Sequence, residues 1–135
     1  MRRAAAFTLL EMIVVLAIAA LIIGIGAGAV VRMAEENEMR RAAGEAERTL
    51  MQAMTRVLKT SRPQAVPLAD LAGGMNLKVR RAGSDEYEPA AGQRLWLRPG
   101  GLCEPLTLRW QRGSAWLDTT LDPLTGGFTR MEERF

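Results

Sequence analysis

An α+β fold, with one long helix laid against a small antiparallel sheet, is the class this sequence predicts. Three features of the 135-residue chain predict it. Residues 7–31 form an unbroken apolar run. Residues 32–59 contain no proline and repeat small or apolar side chains at helical spacing. Beyond Pro63 the pattern changes to short alternating segments separated by Gly and Pro turns. Helix and strand signals segregated along a chain in this way pack as separate layers.

The first element is Phe7–Val31, FTLLEMIVVLAIAALIIGIGAGAVV, and its single charge is Glu11. At about 1.5 Å per residue the run covers roughly 37 Å, against a hydrocarbon core of about 30 Å. A cleaved secretory signal has a shorter apolar region followed by small residues. Here Ala4, Ala5 and Ala6 precede the run, so cleavage there would leave the span in the mature chain. Arg2 and Arg3 favour a cytoplasmic N-terminus, yet Arg32, Arg40 and Arg41 follow the span. The charge rule alone does not decide orientation. The short tail before the span and the folded domain after it favour an N-terminus in the cytoplasm.

Glu11 needs its own account. A carboxylate at mid-bilayer costs about 2.5–3.5 kcal/mol on insertion scales, and less near the interface. If the bond before Phe7 is cut, the new amine lies four residues from Glu11, on a shared helix face. Between neighbouring chains the same two charges could pair and set an axial register. Ala20, Gly24 and Gly28 make a small-residue series at i, i+4, i+8 that permits close helix approach. Gly24, Gly26 and Gly28 also weaken the helix, each by about 1 kcal/mol relative to Ala. Local unwinding on passing from membrane to fibre is one reading of them; glycine as an ordinary component of spans is the other.

From Arg32 to Lys59, Met39, Ala43, Ala46, Leu50, Ala53 or Met54, and Val57 form a stripe at three- and four-residue spacing. Charged residues cover most other positions. The helix therefore continues past the membrane, for a combined rod of about 80 Å. It ends at Ser61-Arg62-Pro63, because the residue before proline leaves the α region. The expected segments are a short leading stretch at 1–6, a span at 7–31, its amphipathic continuation at 32–62, and a β domain at 63–135.

In the β domain, Pro63–Gly74 reads as a connector with a helical turn at Leu68–Leu71. Strand signals follow at Asn76–Arg81, Arg94–Pro99, Leu106–Trp110, Ala115–Leu121 and Gly127–Met131. Gly83–Gly92 reads as a polar loop. Four or five short strands with tight connections suggest one antiparallel meander.

Composition excludes several function classes. The chain has no histidine and one cysteine, Cys103. An intramolecular disulfide, a cysteine-built zinc site and Ser-His or Cys-His machinery are therefore ruled out. The net charge of +3 falls to +1 without Arg2 and Arg3, so charge alone does not argue for nucleic acid. The reading is a non-enzyme with no cofactor and no metal. A membrane-tethered enzyme would need a cleft with perturbed carboxylates.

Ala6, then Phe7-Thr8-Leu9-Leu10-Glu11, then about 20 apolar residues, resembles the class III signal of type IV pilins and type II secretion pseudopilins. The resemblance implies cleavage between Ala6 and Phe7 by a prepilin peptidase and N-methylation of Phe7 by the same enzyme. It implies that Glu11 neutralises a neighbouring subunit's amine during assembly. Two positions depart from the pattern: Ala6 where Gly is usual, and Gly28 where many pilins carry a kinking Pro. The helix-then-sheet order resembles the pilin fold. RLWLRPGG, LTLRW and WLDTTLDPLTGGF resemble the C-terminal sheet of H-type pseudopilins and related minor pilins. The implied protein is a minor subunit of a type II secretion pseudopilus, a structural part of export across the outer membrane. It would sit in the inner membrane as a single-pass protein with a periplasmic domain. Its partners would be other pseudopilins or pilins, the peptidase/methyltransferase and an inner-membrane assembly platform. The alternative is a minor pilin of a type IV pilus or competence system that binds DNA or a surface.

Three further features of the β domain have both a functional and a plainer reading. Arg94, Trp96 and Arg98 alternate on one strand, with Lys78 and Arg80 nearby, a pattern that can contact single-stranded nucleic acid. A solvated sheet face explains it better, and nucleic acid is not an expected partner. Asp118 and Asp122 flank a turn and could contribute to a Ca²⁺ site, but turn capping suits two aspartates better. Cys103 reads as an unpaired small residue, open to intermolecular pairing in an oxidising compartment.

Overall fold

The structure is a computed structural model and describes residues 8–135. The chain divides into two compact units, Met1–Ala34 and Glu35–Phe135. Helix α1, Leu9–Thr60, contributes to both.

In the first unit α1 is helical through Gly24, Gly26 and Gly28, and nothing approaches within 4 Å of where a Cβ would stand at any of them. Its large apolar side chains, from Leu9 to Met33, are exposed. In the second unit the helix turns amphipathic. Its buried face is Met39, Ala42, Ala43, Ala46, Leu50, Ala53, Met54 and Val57, the stripe expected from the spacing with Ala42 added. The helix ends at Thr60, and Ser61 takes a left-handed φ of 51°, the conformation that commonly closes a helix. Pro63 prevents any continuation.

The β domain holds eight strands in two sheets, where the sequence suggested a single meander. The strands are β1 (Gln64–Pro67), β2 (Asn76–Arg81), β3 (Glu88–Pro89), β4 (Arg94–Arg98), β5 (Leu102–Cys103), β6 (Leu106–Arg112), β7 (Ala115–Leu121) and β8 (Phe128–Arg134). The larger sheet has the order β3-β2-β6-β7-β8 and the smaller β1-β4-β5. All pairings are antiparallel. The fold class is α+β and consistent with a pilin-like fold.

The second sheet arises from a segment that read as connector. Gln64–Pro67 pairs residue for residue with Leu97–Arg94. This draws β4 out of the meander, and the 3-10 turn Leu68–Leu71 then leads into β2. Polar Gly83–Gly92 also contains the two-residue β3.

One core joins both sheets to the helix stripe. Leu77 and Val79, then Leu106, Leu108 and Trp110, then Leu117 and Leu121 line its inner wall. Trp110 is fully buried, meets Phe128 edge-on at 6.1 Å, and donates its indole N–H to the Leu71 carbonyl at 3.1 Å. That bond satisfies the one polar atom a buried tryptophan brings. Close contacts also hold the helix. Gly73, at φ +58°, stands where a Cβ would come within 2.8 Å of Ala42 Cβ. Glu47 Oε1 accepts the Phe128 backbone N–H at 2.8 Å, which ties edge strand β8 to α1.

Candidate functional site

Three regions carry the chemistry expected from the sequence. The first is the start of α1. Thr8 accepts the backbone N–H of Glu11 on its hydroxyl at 3.2 Å, and its carbonyl accepts the Met12 N–H. Thr8 therefore caps the helix and Glu11 occupies the first turn, where helix N–H groups favour a negative charge. The Thr-x-x-Glu spacing was visible as a capping signature, and sequence reasoning did not use it. The expected cleavage and methylation positions, Ala6 and Phe7, lie outside the described residues. An 18-residue window of the helix has a mean hydropathy of 2.8 with none of it buried, which fits a membrane anchor.

The second region is the outer face of the larger sheet. Asp118 does not flank a turn as expected. It lies in mid-β7, only 6% exposed. Arg109 faces it across the β6–β7 register and donates two hydrogen bonds of 2.7 Å each, Nε to Oδ1 and Nη2 to Oδ2. Tyr87 donates its hydroxyl to Asp118 Oδ2 at 2.7 Å. The Arg109 guanidinium lies over the Tyr87 ring at 3.9 Å and the Trp116 ring at 4.5 Å. Hydrogen bonding to Asp118 pushes the Arg109 guanidinium above its already high pKa. Burial, the hydrogen bond to Asp118 and that residue's charge together raise the Tyr87 phenol. Both Asp118 carboxylate oxygens are engaged, by Arg109 and by Tyr87, so the cluster acts as a clasp holding the 82–87 loop to the sheet. The sequence signal, Arg109 and Asp118 on adjacent strands, is invisible without the register.

Asp122 does cap a turn. Its carboxylate accepts the Leu124 N–H at 3.0 Å and the Thr125 hydroxyl at 2.7 Å, and these bonds hold its pKa below the usual carboxylate value. Among the described residues no cluster of three or more His, Cys, Asp or Glu could hold a metal ion. Cys103 is buried, with Sγ 3.4 Å from the Pro123 carbonyl, and desolvation raises its thiol.

The third region is the proposed basic stripe, and the structure divides it. Lys78 and Arg80 lie on β2 of the larger sheet, with Arg80 over the Tyr87 ring at 5.1 Å. Arg94, Trp96 and Arg98 lie on β4 of the smaller sheet. There they line a cavity of about 460 Å³ with Arg81, Cys103 and Glu104. The residue that joins them is Arg81, which sequence reasoning did not include. It sits at the end of β2, paired with Glu104 and hydrogen-bonded to Gln93 Oε1 at 3.1 Å.

Residues 1–30 match the family model for the prokaryotic N-terminal methylation motif. No curated protein and no solved structure matches the chain. The motif indicates a type IV pilin-like or pseudopilin protein, a structural class. It implies processing by a prepilin peptidase and assembly into fibres.

Proposed function

We propose that this chain is a minor structural subunit of a type II secretion pseudopilus, and that its work is polymerisation rather than covalent chemistry. The observation that carries the reading is the methylation motif with Glu11 as the only charge in the apolar run. Cleavage between Ala6 and Phe7 would release an amine four residues from Glu11. Methylation of that amine keeps it basic, so it remains a partner for a carboxylate in a low-dielectric setting, where such a pair must form to offset desolvation. Glu11 of one subunit would then meet Phe7 of the next and fix the axial register. The exposed apolar side chains of α1 would lie in the inner membrane before assembly and pack against neighbouring helices after it. Ala20, Gly24 and Gly28 would allow those helices to approach closely. The domain beyond residue 34 would lie in the periplasm, and an assembly platform driven by a separate ATPase would extract the subunit.

The test is Glu11→Ala expressed beside the cognate fibre subunits. Mass spectrometry of the N-terminus should show cleavage before Phe7 and methylation in both forms. Sheared fibres should contain the unsubstituted chain and at least tenfold less of the variant. Normal incorporation of the variant would remove the proposed role.

A further inference from the structure

The cavity on the smaller sheet is lined by an exposed tryptophan flanked by two arginines. Of three tryptophans, Trp110 is buried and hydrogen-bonded, and Trp116 is covered by Arg109. Trp96 is 55% exposed. Its cross-strand neighbour is Ala65 and that of Arg94 is Pro67, side chains too small to cover an indole. Arg94 and Arg98 are exposed, and among the described residues neither forms an ion pair, a state they share with several surface arginines; what sets them apart is the exposed indole between them. An exposed indole between two free guanidiniums, set in a concavity, has the composition of a protein-binding hot spot, where Trp and Arg dominate.

The geometry narrows the occupant. Arg94, Trp96 and Arg98 alternate on one strand face, so the row repeats at about 6.6 Å and is about 13 Å long. Alternate side chains of an extended peptide repeat at that same distance. A continuous polyanion fits less well. The residues that would have extended a phosphate track, Lys78 and Arg80, belong to the other sheet. On the cavity wall the Glu104 carboxylate is already paired with Arg81, which leaves Arg94 and Arg98 as the cations open to a ligand.

We propose that Arg94, Trp96 and Arg98 form a docking cleft for an extended acidic protein segment, carboxylate–apolar–carboxylate at alternate positions, presented by another protein. The two carboxylates pair with Arg94 and Arg98, and the apolar side chain packs on the Trp96 ring. The cleft lies wholly within residues 35–135, and its occupancy does not depend on what the N-terminal helix assembles into.

The test uses the full chain in detergent micelles and the peptide Ser-Glu-Ser-Leu-Ser-Glu-Ser, blocked at both ends. Tryptophan emission should shift on titration, and the shift should vanish in Trp96→Phe, since the other two tryptophans are already covered. Arg94→Ala with Arg98→Ala should weaken binding at least tenfold. In Arg94→Glu with Arg98→Glu, preference should reverse toward the same peptide carrying Lys in place of Glu. That reversal distinguishes docking from a loss of fold. No response to the acidic peptide, or no reversal, overturns the proposal. Tighter binding of a 20-nucleotide oligothymidylate than of the peptide would overturn it in favour of nucleic acid. Failure of these titrations would leave incorporation of the Glu11 variant unaffected, so the two readings fail separately.

Discussion

Arg109 and Asp118 face each other across β6 and β7 and share two hydrogen bonds of 2.7 Å, on the side of the sheet away from the core. The Asp118 side chain is 8% exposed and that of Arg109 25%. The arginine therefore keeps a route to solvent that the aspartate lacks. Removing either partner should not cost the same. Arg109→Ala strands a buried carboxylate and should destabilise by about 2–4 kcal/mol, below the top of the range for fully buried pairs because one partner is partly hydrated. Asp118→Ala leaves a guanidinium still stacked between two rings and should cost less. Thermal unfolding of the two single variants and the double variant checks this. Equal losses, or strict additivity, would contradict the described coupling.

The same clasp sets a limit on the alkaline side. Tyr87 is the chain's only tyrosine, so absorbance at the phenolate band reports it alone. Desolvation first, then the hydrogen bond to Asp118 and its charge, raise the folded pKa above the ordinary value near 10. The protonated phenol is the form the fold favours. Its contribution is therefore fully present below about pH 10 and is lost as pH rises through the higher folded value. Titration of the folded chain should give a midpoint above that of the unfolded chain. Tyr87→Phe should flatten stability against pH in this range. A folded midpoint at or below 10 would refute it.

Thr119 is fully buried on the inward row of β7, and its hydroxyl has no hydrogen-bond partner. Valine has the same branching and no hydroxyl to desolvate. Thr119→Val should raise stability by about 1 kcal/mol, toward the low end of the penalty for an unsatisfied buried group. A destabilised variant would mean that the hydroxyl is in fact bonded.

Cys103 is the only thiol, buried and with its pKa raised by desolvation and by the nearby Asp122 charge. Reactivity follows the thiolate. A small alkylating reagent at pH 8 should modify the native chain far more slowly than the denatured chain. Comparable rates would show that Cys103 is accessible.

Much of this fold was legible because its signals are local. The helix stripe from Met39 to Val57, the turn at Leu68–Leu71 and the strand Ala115–Leu121 follow from spacing and turn residues alone. What escaped depends on partners distant in the chain. Gln64–Pro67 is a strand only because β4 pairs with it, and only Val66 of the four is buried, too little for an alternation pattern. That pairing in turn separates Arg94, Trp96 and Arg98 from Lys78 and Arg80, which a linear reading placed together. Asp118 looked like a turn residue because Asp122 nearby is one. Its true partner, Arg109, is set by strand register. The N-terminal methylation motif was legible for the opposite reason: it is confined to one short stretch of chain, residues 1–30.

The hydrogen bond from the Phe128 N–H to Glu47 has a consequence for how the chain is made. The helix stripe shares one core with β6 and β7, and this bond ties the stripe to the last strand. A ribosome delivers α1 first and β8 last. Residues just after the helix, such as Gly73 against Ala42, can cover part of the stripe early, but the cover is completed only when β6–β8 close on it, a long-range and therefore slow class of folding step. Until Phe128 emerges, that cover is incomplete, and this interval is when the nascent domain is most exposed to aggregation.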